Sequence, residues 1–167
     1  LLPKEELVAA AEHAAAAGAS RFSLVTAGRG VMSARDQSAI LVAVAAIQAA
    51  VPIRICASLG IVDRGFLTEL KAAGLYRFHH NLETAESHFS EICGTHGFEE
   101  RVKTIHSAKR LGFSVCAGGI FGIGESDDQV LELAETLKEL AVDAVPINFL
   151  VPITGTPFEG RTRLSPL

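Results

Sequence analysis

Tryptophan is absent from this 167-residue chain, and other things it lacks say more. No run of lysine and arginine makes a basic patch, and the formal net charge is −4, so nothing argues for a nucleic-acid partner. No apolar run reaches a membrane-spanning length. The most membrane-like one, SAILVAVAAIQAAVP from Ser38, is cut by Gln48 and Pro52 and followed by Arg54. It reads as a packed helix leading into a strand, so no membrane partner is expected. The opening LLPKEEL has neither the basic region nor the long apolar region of a secretory signal. Cysteines are few: Cys56, Cys93 and Cys116 are odd in number, widely spaced, and form no C-x-x-C pair. That argues against a disulfide framework and for a reducing, cytoplasmic setting. The chain begins at Leu rather than Met, which raises the expectation that it is part of something longer.

What is present is an alternation of strands and helices. Half of the residues are hydrophobic (49%) and glycine is plentiful at 15, which suits one α/β domain with a sizeable core. EELVAAAEHAAAAG, ending at Gly18, predicts a helix, and RFSLVTAG from Arg21 a strand running into a glycine-containing loop. A helix over about 33–49 and a strand in PIRICASLG follow, then a helix in DRGFLTELKAAG stopped by Gly74. LYRFHHN predicts the third strand and 85–91 a short turn or helix. In FEERVKTIHSAKRLG, Phe98, Val102, Ile105 and Ala108 recur at helical spacing. FSVCAGGIFGIG predicts a strand and then a glycine-rich loop. SDDQVLELAETLKEL opens with a capping box, Ser126 with Gln129. DAVPINFLVPI is the fifth strand, and TGTPFEGRTRLSPL has loop composition. Five strands separated by helices predict a parallel sheet, either flat or curved into a (β/α) barrel.

In both architectures ligands bind at the carboxyl ends of the strands, and the unusual residues fall there. The first strand ends in Thr26-Ala27-Gly28, the second in Cys56-Ala57-Ser58, and the third in His79-His80-Asn81-Leu82-Glu83. The fourth carries Cys116-Ala117-Gly118-Gly119, and the fifth has Asn148 after Pro146. Each has a plainer reading as well. Glu83 could cap the next short helix. His79 and His80 cannot both point to one face of a regular strand, so at least one is structural. Asn148, set among apolar residues, reads as a buried amide in need of partners. Cys56 and Cys116 are either ordinary buried thiols or soft-metal or redox groups, and Cys93 is incidental or a third ligand. GGIFGIGES has the wrong glycine spacing for a dinucleotide fingerprint; its glycines would instead let a ligand approach the backbone.

Taken in order, FHHNLET, FEERVKTIHSAKRLGFSVCAGGIFGIGE and VPINFLVPITGTPFE resemble the biotin synthase family of the radical S-adenosylmethionine superfamily. The likeness runs over essentially the whole chain and is weakest in the N-terminal third. It implies a partial (β/α) TIM-type barrel over residues 1–167. The reaction it implies is sulfur insertion into dethiobiotin, using S-adenosylmethionine, a 4Fe-4S cluster and an auxiliary 2Fe-2S cluster or a variant of it. By position, Asn81 and Glu83 would hold the cofactor's ribose, and Arg101 its methionine carboxylate. Ile120 would line the adenine, and Thr26, Ala27 and Gly28 would lie near the amino group. Asn81 and Asn148 would reach dethiobiotin. Asn81 and Glu83, alternating with Leu82 along one strand, would both face the barrel mouth.

Two departures accompany the resemblance. The C-x-x-x-C-x-x-C motif of the radical-generating cluster is absent, and in the family it lies upstream of the segment present here. Ser23 stands where the family has a cysteine ligand for the auxiliary cluster, while Cys56 and Cys116 match two others, leaving Cys93 as a possible substitute. The 167 residues alone are therefore expected to be inactive. The family also implies an electron donor such as flavodoxin or ferredoxin, and a homodimer. Two other readings stay open: another radical enzyme of the same branch, and a non-catalytic nucleoside-binding module that keeps Asn81, Glu83 and Arg101.

Overall fold

The computed structural model describes residues 2–165. Leu1, and the last two positions of the expected C-terminal loop, Pro166 and Leu167, lie outside them. The elements run α1 Lys4–Ala16, β1 Arg21–Val25, α2 Ala34–Ala50, β2 Arg54–Ser58, α3 Arg64–Ala72 and β3 Arg77–His79. There follow α4 Glu86–Ile92, α5 Phe98–Arg110, β4 Ser114–Cys116, β5 Gly119–Phe121, α6 Asp127–Glu139 and β6 Ile147–Phe149. Local chemistry sets many of these limits. Ser33 caps α2 by accepting from Asp36 N, and Asp63 caps α3 by accepting from Phe66 N at 2.9 Å. The box at α6 is complete: Ser126 Oγ accepts from Gln129 N at 3.3 Å, and Ser126 N donates to Gln129 Oε1 at 2.9 Å. No helix among the described residues is long and apolar enough to cross a membrane.

β1, β2, β3 and β4 form a parallel sheet in that order, and β5 pairs in parallel with β6. FSVCAGGIFGIG, expected as one strand and then a glycine-rich loop, thus holds two short strands. The reason lies at Gly118, where neighbouring chains close in from both sides. Gly118 O accepts from Leu82 N at 2.9 Å and from Glu83 N at 3.1 Å. On the other flank a Cβ built on Gly118 would stand 2.0 Å from Pro146 O. The chain changes neighbours there, with β4 bonded back to β3 and β5 forward to β6. Ala117 N donates to Ala144 O and Ile120 N to Glu83 O, so the two pairings join into one continuous parallel surface.

Alternation along the strands separates two faces. Leu24, Ile55, Ala57, Phe78 and Val115 are buried against the helices, which contribute Val44, Ile47, Leu67, Leu70, Ile105 and Ala108 to the same core. Each fully buried Leu, Ile or Phe of this kind stabilises the fold by about 1.5–3 kcal/mol. The other face carries Ser23, Val25, Cys56, Ser58, Arg77, His79, Ser114 and Cys116. No helix covers it at its β1 edge, where Val25 is 72% exposed.

Candidate functional site

At the carboxyl ends of the strands lies a cleft of ≈ 680 Å³. Its floor is one register row of the polar face, Ser58 opposite His79 and His79 opposite Cys116. Thr26 and Gly28 border it from the end of β1, Asn81 and Glu83 from the chain after β3, Arg101 from α5 and Asn148 from β6. A hollow of ≈ 900 Å³ beside α1, β1 and α2 is larger, but its walls are chiefly apolar, with Leu7, Phe22, Val25 and Ile40 among them. The smaller cleft is where polar groups converge, and that is the mark of a specific site. Ala27 borders the apolar hollow instead, and Ile120 stays on β5, opposite Asn148 in the register.

Arg101 organises one wall. Its Nη1 donates to Asn81 O at 2.7 Å and to Glu83 Oε1 at 3.2 Å, and its Nε donates to His96 Nε2 at 3.0 Å. The guanidinium also lies over the Phe89 ring, 5.7 Å from its centroid. Nη2 has no protein partner among the described residues. Burial pushes the Glu83 carboxyl above its ordinary range, against the opposing pull of Arg101. Glu83 has φ 72, a left-handed conformation that non-glycine residues seldom adopt. This corrects the expectation of a regular strand through Asn81 and Glu83. β3 stops at His79, and a bent path brings both residues to the cleft while Leu82 is buried. Glu83 does not cap α4 either; its carboxylate is taken by Arg101, and the capping position is Ala85.

The two histidines divide as alternation requires. His79 is half-buried on the cleft floor, and burial, then Arg77 and Arg21, lower its pKa. His80 is 4% exposed beside Phe78, and burial with Arg101 and His96 pushes it down to about 3. His80 is neutral at pH 7, and in both histidines Nε2 is buried with no protein partner among the described residues. Asn148 is the reverse of what the sequence suggested. All three residues of β6 are exposed, and Asn148 Nδ2 donates to Gly119 O at 3.3 Å. Its amide is open because β6 has a neighbouring strand only on its β5 side among the described residues.

Cys56 and Cys116 share the polar face with β3 between them, and Ser23 is the register neighbour of Cys56. Burial raises both thiols, and Arg77 pulls each back. Cys93 does not join them. It ends α4, with Thr95 Oγ1 and His96 Nδ1 beside its sulfur. Burial acts to raise its thiol, but the Thr95 hydroxyl, the backbone of Thr95 and His96 and the charge of Arg101 bring it below the ordinary value. Among the described residues, no three His, Cys, Asp or Glu side chains gather as a metal ion requires, so the expected third ligand is not in place.

The glycine-rich loop is closed by its own carboxylate. Glu125 accepts from Gly122 N at 2.6 Å, Ile123 N at 2.9 Å and Gly124 N at 3.0 Å. At the mouth, Arg29 pairs with Glu100, and Ile61 N donates to Arg29 O at 2.7 Å. Sequence reasoning missed Arg29 and His96; Glu125 it placed at the glycine-rich loop, without the bonds that close it. The loops that meet here are far apart in sequence, and no local spacing announces their meeting.

A model of the Radical SAM superfamily matches residues 1–137. A biotin synthase of Desulfatibacillum aliphaticivorans is 51% identical over 168 residues, covering 100% of this chain and 50% of that protein. One from Sulfurihydrogenibium sp. is 46% identical, again over 100% of this chain and 50% of the relative. The chain therefore spans about half the length of these curated relatives. Among solved structures, methylornithine synthase superposes with a TM-score of 0.84 at 22% identity, over 93% of this chain and 46% of that one. The FeFe-hydrogenase maturase from Carboxydothermus hydrogenoformans gives 0.78 at 21% identity, over 98% and 41%. At such identities the structural likeness speaks for the fold alone.

Proposed function

This chain belongs to the radical SAM superfamily, and from that premise we propose that it carries the S-adenosylmethionine cleft and the sulfur-inserting face of a biotin synthase. The observation that carries the reading is Arg101. A guanidinium fixed at Nε and Nη1 keeps Nη2 free at the cleft, which suits a ligand carboxylate and which the point charge of a lysine could not reproduce.

The roles of the other residues are those that the family resemblance implies. Glu83, with one oxygen on Arg101, accepts from the ribose hydroxyls beside Asn81. Thr26, whose N donates to Ser58 O at 3.1 Å, and Gly28 flank the amino group, and backbone near Ile120 lies against the adenine. Asn148 and Asn81 reach the polar ring of dethiobiotin. These anchors fit S-adenosylmethionine. Bound together with a reduced 4Fe-4S cluster, it would supply the radical chemistry by which hydrogen is taken from dethiobiotin. The sequence given contains no C-x-x-x-C-x-x-C, so the residues present do not hold that cluster, and no step is assigned to them through it. Cys56 and Cys116 fit two positions of an auxiliary iron–sulfur centre, with the Ser23 hydroxyl beside Cys56; such a centre would supply the sulfur. A flavodoxin or ferredoxin as electron donor, a homodimer and a cytoplasmic setting complete the proposal.

Calorimetric titration of S-adenosylmethionine into the protein expressed from its complete coding sequence tests it. Arg101→Lys should weaken binding by about tenfold or more, the worth of a hydrogen bond to a charged group. Undiminished affinity would sink the assignment.

A further inference from the structure

Arg101 is held from one more direction than the reaction requires. Nε donates to His96 Nε2 at 3.0 Å, although nothing about carboxylate binding calls for a histidine there. We propose that His96 is a positioning residue, which fixes the Arg101 guanidinium so that Nη2 faces the carboxylate of the bound cofactor. The inference rests on the cleft being an S-adenosylmethionine site.

The neighbours of His96 determine which nitrogen accepts. For Nε2 to take the Arg101 proton, Nδ1 must carry the ring hydrogen. Nδ1 stands 2.9 Å from Thr95 Oγ1, which can accept it; Cys93 Sγ, 3.5 Å from Nδ1 and 3.8 Å from Nε2, lies beside both nitrogens and decides neither. Phe89 meets the ring edge-on with centroids 5.7 Å apart, and the same Phe89 lies under the guanidinium. Histidine and arginine are thus held against one aromatic surface and bonded to each other.

The guanidinium is a rigid plane, so tying Nε and Nη1 fixes the direction of Nη2. Without His96, Nε–H loses its acceptor. Glu83, already on Nη1, could then turn to take a two-pronged hold and draw the cation away from an incoming carboxylate. His96 lines the cleft as well, and the role assigned to it is exerted through Arg101.

The test compares two ligands on the iron–sulfur-loaded protein expressed from its complete coding sequence. S-adenosylmethionine has the carboxylate; 5′-methylthioadenosine has the same nucleoside and lacks it. His96→Ala should weaken S-adenosylmethionine by about tenfold and leave methylthioadenosine within about twofold. His96→Gln places an oxygen where Nε2 was and should restore S-adenosylmethionine to within about threefold of wild type. Equal losses for both ligands in His96→Ala would make the role merely structural and overturn the inference, as would unchanged binding of both. A glutamine variant as weak as the alanine one would also overturn it. Wild-type protein that bound neither ligand would overturn the reading of the cleft itself, and the positioning role with it.

Discussion

The two faces of the β1–β4 sheet are made by the same strands and do opposite work. On the helix-covered face, Leu24, Ile55, Ala57, Phe78 and Val115 are buried and apolar. On the other, Ser58, His79 and Cys116 present polar groups in a row, one of them with a ring nitrogen that no protein atom satisfies. A buried polar atom without a partner costs about 1–3 kcal/mol, so polar groups here add less to stability than the apolar side chains opposite. Core packing and the polar lining of the cleft are thus assigned by alternate positions along each strand. Neighbours in sequence can differ completely in what a substitution would do.

The comparison can be broken first at Phe78. Phe78→Ala should destabilise the protein by about 3–5 kcal/mol, read from denaturant midpoints, by opening a cavity between sheet and helices. A loss under about 1 kcal/mol would mean that the helix-covered face does not dominate folding. The next test is His80, which is packed in the core yet borders the cleft. Its pKa is lowered from 6.5 to about 3, so below pH 6.5 the unfolded chain binds a proton that the native state refuses. Stability should fall as the pH drops from 6.5 towards 3, by at most about 1.4 kcal/mol per pH unit from this group. His80→Leu should flatten that limb in denaturation midpoints taken between those limits; an unchanged slope would contradict the neutral, buried imidazole. The smallest effect belongs to Ser58→Ala on the polar face. It should change stability by less than about 0.5 kcal/mol, and a larger loss would show that this face also carries the fold.

The parts of the molecule legible in the sequence are those governed by local rules. Gly18 and Gly74 end helices in the left-handed conformation, with φ 84 and φ 101. Ser126 and Gln129 make the box their spacing announced, and Phe98, Ile105 and Ala108 are buried together on α5. The parallel α/β order followed from counting such segments. What escaped depends on chains that are distant in sequence. The split of the fourth strand comes from Pro146 and Glu83 crowding Gly118 and Gly119 from either side. Asn148 looked buried because its sequence neighbours are apolar, yet burial is decided by whether anything lies alongside, and among the described residues the only strand beside β6 is β5. Alternation placed Asn81 and Glu83 together for a reason that does not apply, since the strand has ended before them. The Arg29–Glu100 pair joins a loop to the first turn of α5, which no periodicity connects.

The carboxylate of Glu125, bonded to three successive amides, has a thermodynamic consequence for whatever binds beside it. A glycine-rich loop left to itself samples many conformations and would have to surrender them at the moment of association. Here that ordering is complete before any ligand arrives, so binding loses little loop entropy. Glu125→Ala would return the flexibility to the free protein and shift the loss to the binding step, lowering affinity through a less favourable entropy although Glu125 itself need never touch the ligand.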